Sequence, residues 1–211
     1  MARNDAYLKK APKTMTLAEQ DRLLRITKDH RHGLRDHVIY ALALGTGLRE
    51  FEIVALDIHD VFTAQGKVRQ RIHLRTYKTS NDDPGMQFVF VPDSLRYKLA
   101  GYLKWKKAQG EGIAPEDALF CSNRSKRISE RALRHNFTKW MSRMGYAKTR
   151  DGRQPFTFHS LRHTCGTNLW RATHDIRVVQ RQLRHASIIS TTIYATPSDE
   201  DMHSAVQDLN C

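Results

Sequence analysis

His159-Ser160-Leu161-Arg162-His163 sets two histidines and an arginine within roughly one turn of a helix. An i, i+4 histidine pair has the spacing of a zinc site. The intervening glutamate of a His-Glu-x-x-His site is absent, however, and the only acids in the neighbourhood are Asp151 and Asp175. A histidine beside an arginine suits phosphate contact and proton transfer, with a capping or hydrogen-bonding histidine as the ordinary alternative. Further along, Arg177-Val-Val-Gln-Arg181-Gln-Leu-Arg184-His185 reads as a basic helix with Ile176, Val179 and Leu183 turned inward. Taken alone, it is a solvated amphipathic helix. Tyr194 stands in Ser190-Thr-Thr-Ile-Tyr194, nine residues beyond His185, and with seven tyrosines in the chain spacing alone does not select it.

Charge gives these segments a common context. The 211 residues carry 35 Lys+Arg against 22 Asp+Glu, a formal net charge of +13. Residues 121–190 hold 15 of those cations and three acids, whereas residues 191–211 hold four acids and no Lys or Arg. A third of the chain therefore supplies almost all of the excess, mostly as arginine, whose planar fork matches phosphate oxygens. Nucleic acid is the expected partner class. The apolar runs, such as Val38 to Leu44, fall far short of the roughly 20 residues that cross a bilayer. The first residues lack the apolar core of a secretory signal, so a cytoplasmic setting is expected. Cys121, Cys165 and Cys211 have no Cys-x-x-Cys spacing and read as reduced thiols.

The remaining pattern predicts a mainly helical α+β chain. Residues 1–15 form a basic lead-in, and Thr16-Leu-Ala-Glu19 matches a capping box opening a helix to about residue 28. A second helix over about 33–44 stops at Gly45-Thr-Gly47, and a short one carries Arg49, Phe51, Glu52 and Val54. From Val61 to Val91 the period changes: Val68, Ile72 and Leu74 sit at even spacing, Asn81-Asp-Asp-Pro-Gly85 is a turn, and Phe88 to Val91 is β-rich. That predicts a small antiparallel sheet with a hairpin, with Lys78 on the approach to its turn. Leu95, Leu99, Tyr102 and Leu103 restore the helical period, and a helix opened by Ser129 puts Leu133, Phe137, Trp140, Met141 and Met144 on one face as core. Helices over 159–171, 175–184 and 187–195 complete the second half.

In this order the motifs resemble the catalytic domain of the tyrosine recombinases, the phage-integrase family. The resemblance is carried by Gly45-Thr-Gly-Leu-Arg49-x-x-Glu52 with Leu56 and Asp60, by Tyr77-Lys78-Thr79, by His159-x-Leu-Arg162-His163-Thr164, and by Leu183-x-His185 with Tyr194 nine residues on. It covers residues 16 to about 200. It implies that fold over 16–198 and an enzyme that cleaves and rejoins double-stranded DNA through a 3′-phosphotyrosine, as in a phage or mobile-element integrase of a prokaryotic cell. Tyr194 would be the nucleophile, Arg49 and Arg162 the phosphate-binding cations, and Lys78 the acid for the leaving 5′-oxygen. His159 would help manage the tyrosine proton, and His185 would donate to the scissile phosphate. Glu52 and Asp60 would orient the first arginine and its loop, and His163 would be a structural helper. Neighbouring cations would favour the Tyr194 phenolate. No cofactor or metal is implied, in keeping with the lack of a P-loop or carboxylate cluster in the sequence.

Two departures stand out. Only about 15 residues precede the pattern, where full-length members of the family usually add an N-terminal helical domain, and Arg184 stands where the family commonly has glycine. Met202, Ala205, Val206 and Leu209 predict an acidic amphipathic tail helix within residues 199–211. The resemblance implies that such a tail docks on a neighbouring protomer in a homotetramer on DNA. A type IB topoisomerase and a non-catalytic DNA-binding regulator are the competing readings. An RNA-binding module ranks behind both.

Overall fold

Thr16 opens the first helix with a reciprocal cap: its hydroxyl accepts the Glu19 N–H at 3.3 Å, and the Glu19 carboxylate accepts the Thr16 N–H at 2.7 Å. The computed structural model describes residues 13–75, 87–122, 127–149, 152–195 and 206–207. Within them run α1 (Leu17–Asp29), α2 (Leu34–Thr46), α3 (Glu50–Ala55), α4 (Ile58–Val61), β1 (Arg71–Leu74), β2 (Gln87–Phe90), α5 (Asp93–Ala108), α6 (Glu130–Arg143), α7 (His159–Thr173), α8 (Ile176–Leu183) and α9 (Ile189–Thr192). The strands pair antiparallel, Arg71 opposite Phe90 and Leu74 opposite Gln87. The mainly helical α+β architecture expected from the sequence is therefore the one observed.

Helix α2 is buried on nearly every side, and α1, α5 and α7 pack around it. A helix that is apolar all round belongs at the centre of a core. Onto it α6 turns the face read from its period: Leu133, Phe137, Trp140 and Met141, with Met144 at its C-cap, are all buried. Phe137 meets Tyr40 edge-on at 5.4 Å, and the Trp140 indole N–H donates to the buried Asp36 carboxylate at 2.9 Å. Met15, the last residue of the expected lead-in, is already in this core, and its N–H donates to the Thr164 hydroxyl at 2.9 Å. A second, smaller apolar cluster joins Cys165 of α7, Val179 and Leu183 of α8, and Tyr194.

Three boundaries differ from expectation. Helix α2 runs through Gly45 and stops at Gly47, whose φ of 67° makes the left-handed turn. The short helix α4 was not foreseen; its four residues are too few for a period to register. Helix α9 covers four residues, not the nine expected over 187–195. Lys78, the turn at residues 81–85 and the tail helix other than Val206 and Gln207 lie outside the described residues. Among the described residues no helix is long and apolar enough to cross a membrane.

Candidate active site

Three helix ends converge where α2, α7 and α8 meet. Arg162, 3% exposed, reaches between two of them: one guanidinium nitrogen donates to the Gly47 carbonyl and the other to the Leu183 carbonyl at 2.5 Å. Both acceptors belong to helix C-termini, which lack intrahelical partners and attract a cation. Gly47 must be small here, because a Cβ on it would come within 2.3 Å of Leu183 Cδ2.

The chain leaves Gly47 for Arg49, at the N-cap of α3. The Arg49 N–H donates to Glu52 Oε2 at 2.7 Å and its Nη1 to Glu52 Oε1 at 3.1 Å. Glu52 thus contacts both the backbone and the side chain of Arg49. A second guanidinium, that of Arg184, donates to Glu52 Oε2 at 2.5 Å. Burial works to raise the Glu52 carboxyl, but Arg184 and the Arg49 N–H outweigh it and hold it below the usual carboxylate range. Arg162 is pushed below the ordinary guanidinium value, first by burial and then by Arg49 and Arg184. Among the described residues Glu52 is the only acid ion-paired with any of these three arginines. The cluster carries surplus positive charge, which is the condition for binding an anion.

Beside the cations lies Tyr194, 7% exposed. Its hydroxyl is 2.9 Å from His163 Nδ1, and His159 sets its ring edge-on to His163 at 4.6 Å. The histidine on the phenol is therefore His163, assigned a structural role from sequence. His159 stands one ring further away, edge-on against His163. Burial, then His159 and Arg162, push His163 down to about 4, so at neutral pH its Nδ1 can accept the phenol O–H. Tyr194 itself is pushed up to about 12. Burial is the largest cause of that rise; the neighbouring cations Arg162 and Arg49 act in the expected direction, toward the phenolate, but do not outweigh it in the free chain.

His185 lies nearly parallel to the Tyr194 ring, centroids 6.2 Å apart. Its Nδ1 is 2.9 Å from the buried Thr191 hydroxyl, and burial followed by Arg162 lowers it to about 3. A Thr191 hydroxyl donating to Nδ1 leaves the proton on Nε2, available to an anion. The turn that delivers His185 passes through Arg184 in the left-handed region, φ 54°, which accounts for glycine being the common residue there.

Asp60 has a different job from the one expected of it. It is buried, caps the Asp57 N–H at 2.8 Å and holds Arg75 at 2.9 and 2.7 Å, so it fixes the end of β1 and not Arg49. Gly166 was missed from sequence. A Cβ there would meet Tyr194 Cζ at 2.8 Å, so this glycine makes room for the ring. Thr191 and the Glu52–Arg184 pair were missed as well. Exposed arginines of residues 121–190, among them Arg131, Arg143, Arg171, Arg177 and Arg181, make up the outer basic field. A groove lined by Arg49, Phe90, Leu169, Arg181, Arg184 and His185 opens beside the cluster. Among the described residues no three His, Cys, Asp or Glu are grouped to hold a metal ion.

With this geometry in view, comparison with known proteins is informative. The phage integrase family matches residues 13–201. Tyrosine recombinase XerC of Herpetosiphon aurantiacus is 33% identical over 192 residues, covering 90% of this chain and 57% of that protein. Tyrosine recombinase XerC of Vibrio parahaemolyticus is 29% identical over 184 residues, covering 87% and 54%. The chain thus spans about half the length of these curated relatives. In fold it is similar to the crystal structure of XerA recombinase (TM-score 0.72, 23% identity, 97% of this chain and 68% of that one). It is similar too to the Tn1549 transposon integrase in complex with a circular intermediate DNA (TM-score 0.71, 18% identity, 97% and 68%).

Proposed function

Because the chain belongs to the phage integrase family, the tyrosine recombinases, we propose that it cleaves and rejoins DNA strands at specific sites with Tyr194 as nucleophile. The observation that carries this reading is the Tyr194–His163 contact at 2.9 Å beside Arg162 and the two arginines, Arg49 and Arg184, that share the Glu52 carboxylate. The Tyr194 oxygen attacks phosphorus as its proton passes to His163 Nδ1. The bond to the 5′-oxygen breaks, and that oxygen takes a proton, the role we assign to Lys78. Arg49, Arg162 and the His185 Nε2–H meet the charge that grows on the non-bridging oxygens. A free 5′-hydroxyl then attacks the 3′-phosphotyrosine, returning the proton to Tyr194 and conserving the bond energy. His159, packed on His163, supports that proton path.

Because Tyr194 is protonated and shielded in the free chain, proton removal and attack belong to one step on bound DNA. Exchange between two duplexes cuts four strands, and with one Tyr194 per chain this assigns a homotetramer, with the acidic tail of residues 199–211 as the docking element. A transposon integrase is among the fold neighbours, while the curated relatives are XerC proteins. The strand-transfer chemistry proposed is the same in either setting.

The test is covalent capture. A pool of nicked duplexes with a randomised centre is incubated with the protein, and protein–DNA adducts are resolved on denaturing gels. Wild type forms an adduct and Tyr194→Phe does not. An adduct that survives Tyr194→Phe, or DNA binding with no adduct from wild type, overturns the assignment.

A further inference from the structure

Arg184 occupies an expensive position. It is one of two non-glycine residues at positive φ among the described residues, where a side chain is strained and glycine is not. Its side chain is only 5% exposed, and its buried Nε has no hydrogen-bond partner among the described residues. Both penalties would vanish with glycine. What the guanidinium gains is the 2.5 Å bond to Glu52 Oε2, together with a 3.3 Å bond from Nη1 to the Gln182 carbonyl.

That bond changes what Arg49 can do. Glu52 is fully buried, whereas the Arg49 side chain is 20% exposed and lines the groove. With Arg184 and the Arg49 N–H both on Oε2, only Oε1 meets the Arg49 side chain, through a single nitrogen at 3.1 Å. Without Arg184, the Arg49 fork would be free to close on both carboxylate oxygens, the geometry that carboxylate and guanidinium prefer. Its charge would then be spent on Glu52. Arg184 also keeps the local balance positive, since three guanidiniums face one carboxylate.

We infer that Arg184 is a positioning residue: it occupies Glu52 so that Arg49 keeps its charge and its remaining donors for the scissile phosphate. The same bond ties the N-terminus of α3, which carries Arg49, to the turn that carries His185. Each terminal nitrogen of Arg184 already donates to a protein acceptor, the Glu52 carboxylate or the Gln182 carbonyl. The inference rests on the phosphate reading of the site.

The test uses inorganic sulfate as the anion probe, titrated at constant ionic strength and followed by the Arg49 side-chain Nε–H resonance, assigned through its loss in Arg49→Lys. Arg184→Gly suits the backbone at φ 54°, so the fold is kept while the guanidinium is removed. The expected result is sulfate affinity about fivefold weaker in Arg184→Gly and within about twofold of wild type in Arg184→Lys. In a Glu52→Gln background the loss caused by Arg184→Gly shrinks to below about twofold, because no carboxylate remains to be occupied. Unchanged affinity in Arg184→Gly overturns the inference, and so does an equal loss in the Glu52→Gln background, since Arg184 would then act through its own charge. Should Glu52→Gln not fold, the Arg49 resonance in sulfate-free Arg184→Gly decides: it shifts from its wild-type position as the fork closes on Glu52, and an unmoved resonance overturns the inference. An Arg49 resonance that sulfate does not move in wild type removes the phosphate reading itself, an outcome distinct from the others.

Discussion

Gly166→Ala is the substitution whose sign the structure decides most sharply. In an ordinary helix, glycine to alanine stabilises by about 0.5–1 kcal/mol through lost backbone freedom in the unfolded chain. Gly166 lies inside α7, but an added Cβ would stand 2.8 Å from Tyr194 Cζ and 2.9 Å from Leu183 Cδ1 and Tyr194 Cε2. Ordinary carbon contacts are about 3.5–4 Å, so something must move by roughly 0.7 Å or more. The atoms in the way are a ring tied by its hydroxyl to His163 and a leucine that is fully buried, with no flexible end to swing aside. Overpacking of this kind costs about 1–3 kcal/mol, which offsets the helix gain and leaves a net loss of up to about 2.5 kcal/mol. The ring displaced is that of the proposed nucleophile, so adduct formation should slow by about 10–100-fold, the scale of a 1 Å misplacement. Gly101 is the internal control: it lies in α5 with nothing within 4 Å of its Cβ position, so Gly101→Ala should raise stability at wild-type activity. Urea melts and capture time courses of the two variants check the pair. If Gly166→Ala is as stabilising as Gly101→Ala and forms adduct at the wild-type rate, the packing argument around Tyr194 is wrong.

Gly47→Ala combines a left-handed φ of 67° with a Cβ 2.3 Å from Leu183 Cδ2, and should cost roughly 2–5 kcal/mol in urea melts; a loss below about 1 kcal/mol would contradict that contact. His163 and His185 are lowered from 6.5 to about 4 and about 3, so the unfolded chain binds more protons than the folded one as pH falls below about 6.5. Stability should therefore be flat from pH 8 to 7 and decline toward pH 4, and His185→Gln should flatten that decline in melts taken at stepped pH; an unchanged slope would reject the assignment. DNA affinity should fall steeply between about 50 and 200 mM salt, by 10³–10⁵-fold if six to ten phosphates are contacted. Removing one exposed cation such as Arg143 or Arg171 should lower the log–log salt slope by about one if that residue meets a phosphate, and leave it unchanged otherwise.

What was legible in the sequence is what is local. The Thr16 cap, the apolar face of α6 and the glycine stop near residue 47 each depend on residues a few positions apart, and periodicity or turn chemistry records them. The family motifs carried Arg49, Glu52, Arg162, His185 and Tyr194 to one place because those boxes encode a fold as well as a reaction. The rest depended on which distant side chains meet. His163 and Tyr194 are 31 positions apart and Glu52 and Arg184 132 apart, and nothing in their own neighbourhoods marks the contact. The resemblance implied that Asp60 helps orient Arg49 and its loop, whereas the chain turns at α4 and brings Arg75 to it. For Tyr194 the neighbouring cations do act toward the phenolate, but the water that burial removes is not visible in a sequence, and desolvation is the larger effect in the free chain.

The same distinction divides the net charge of +13 into two populations. Arginines such as Arg131 and Arg177 are exposed, screened by salt and individually replaceable; they act through their number. Arg162 and Arg184 are buried, committed to helix carbonyls and to Glu52, and they raise the energy of the free protein, because like charges are gathered in a site with too few counter-charges. That cost is recovered when an anion enters the site, most fully when the anion gains charge at the moment of phosphoryl transfer. A buried cluster with surplus cations beside a protonated tyrosine is therefore poorly suited to a regulator that only holds DNA, since the exposed field alone would serve that purpose. It suits a protein that must stabilise a phosphorane-like transition state, and adduct capture on Tyr194 separates the two.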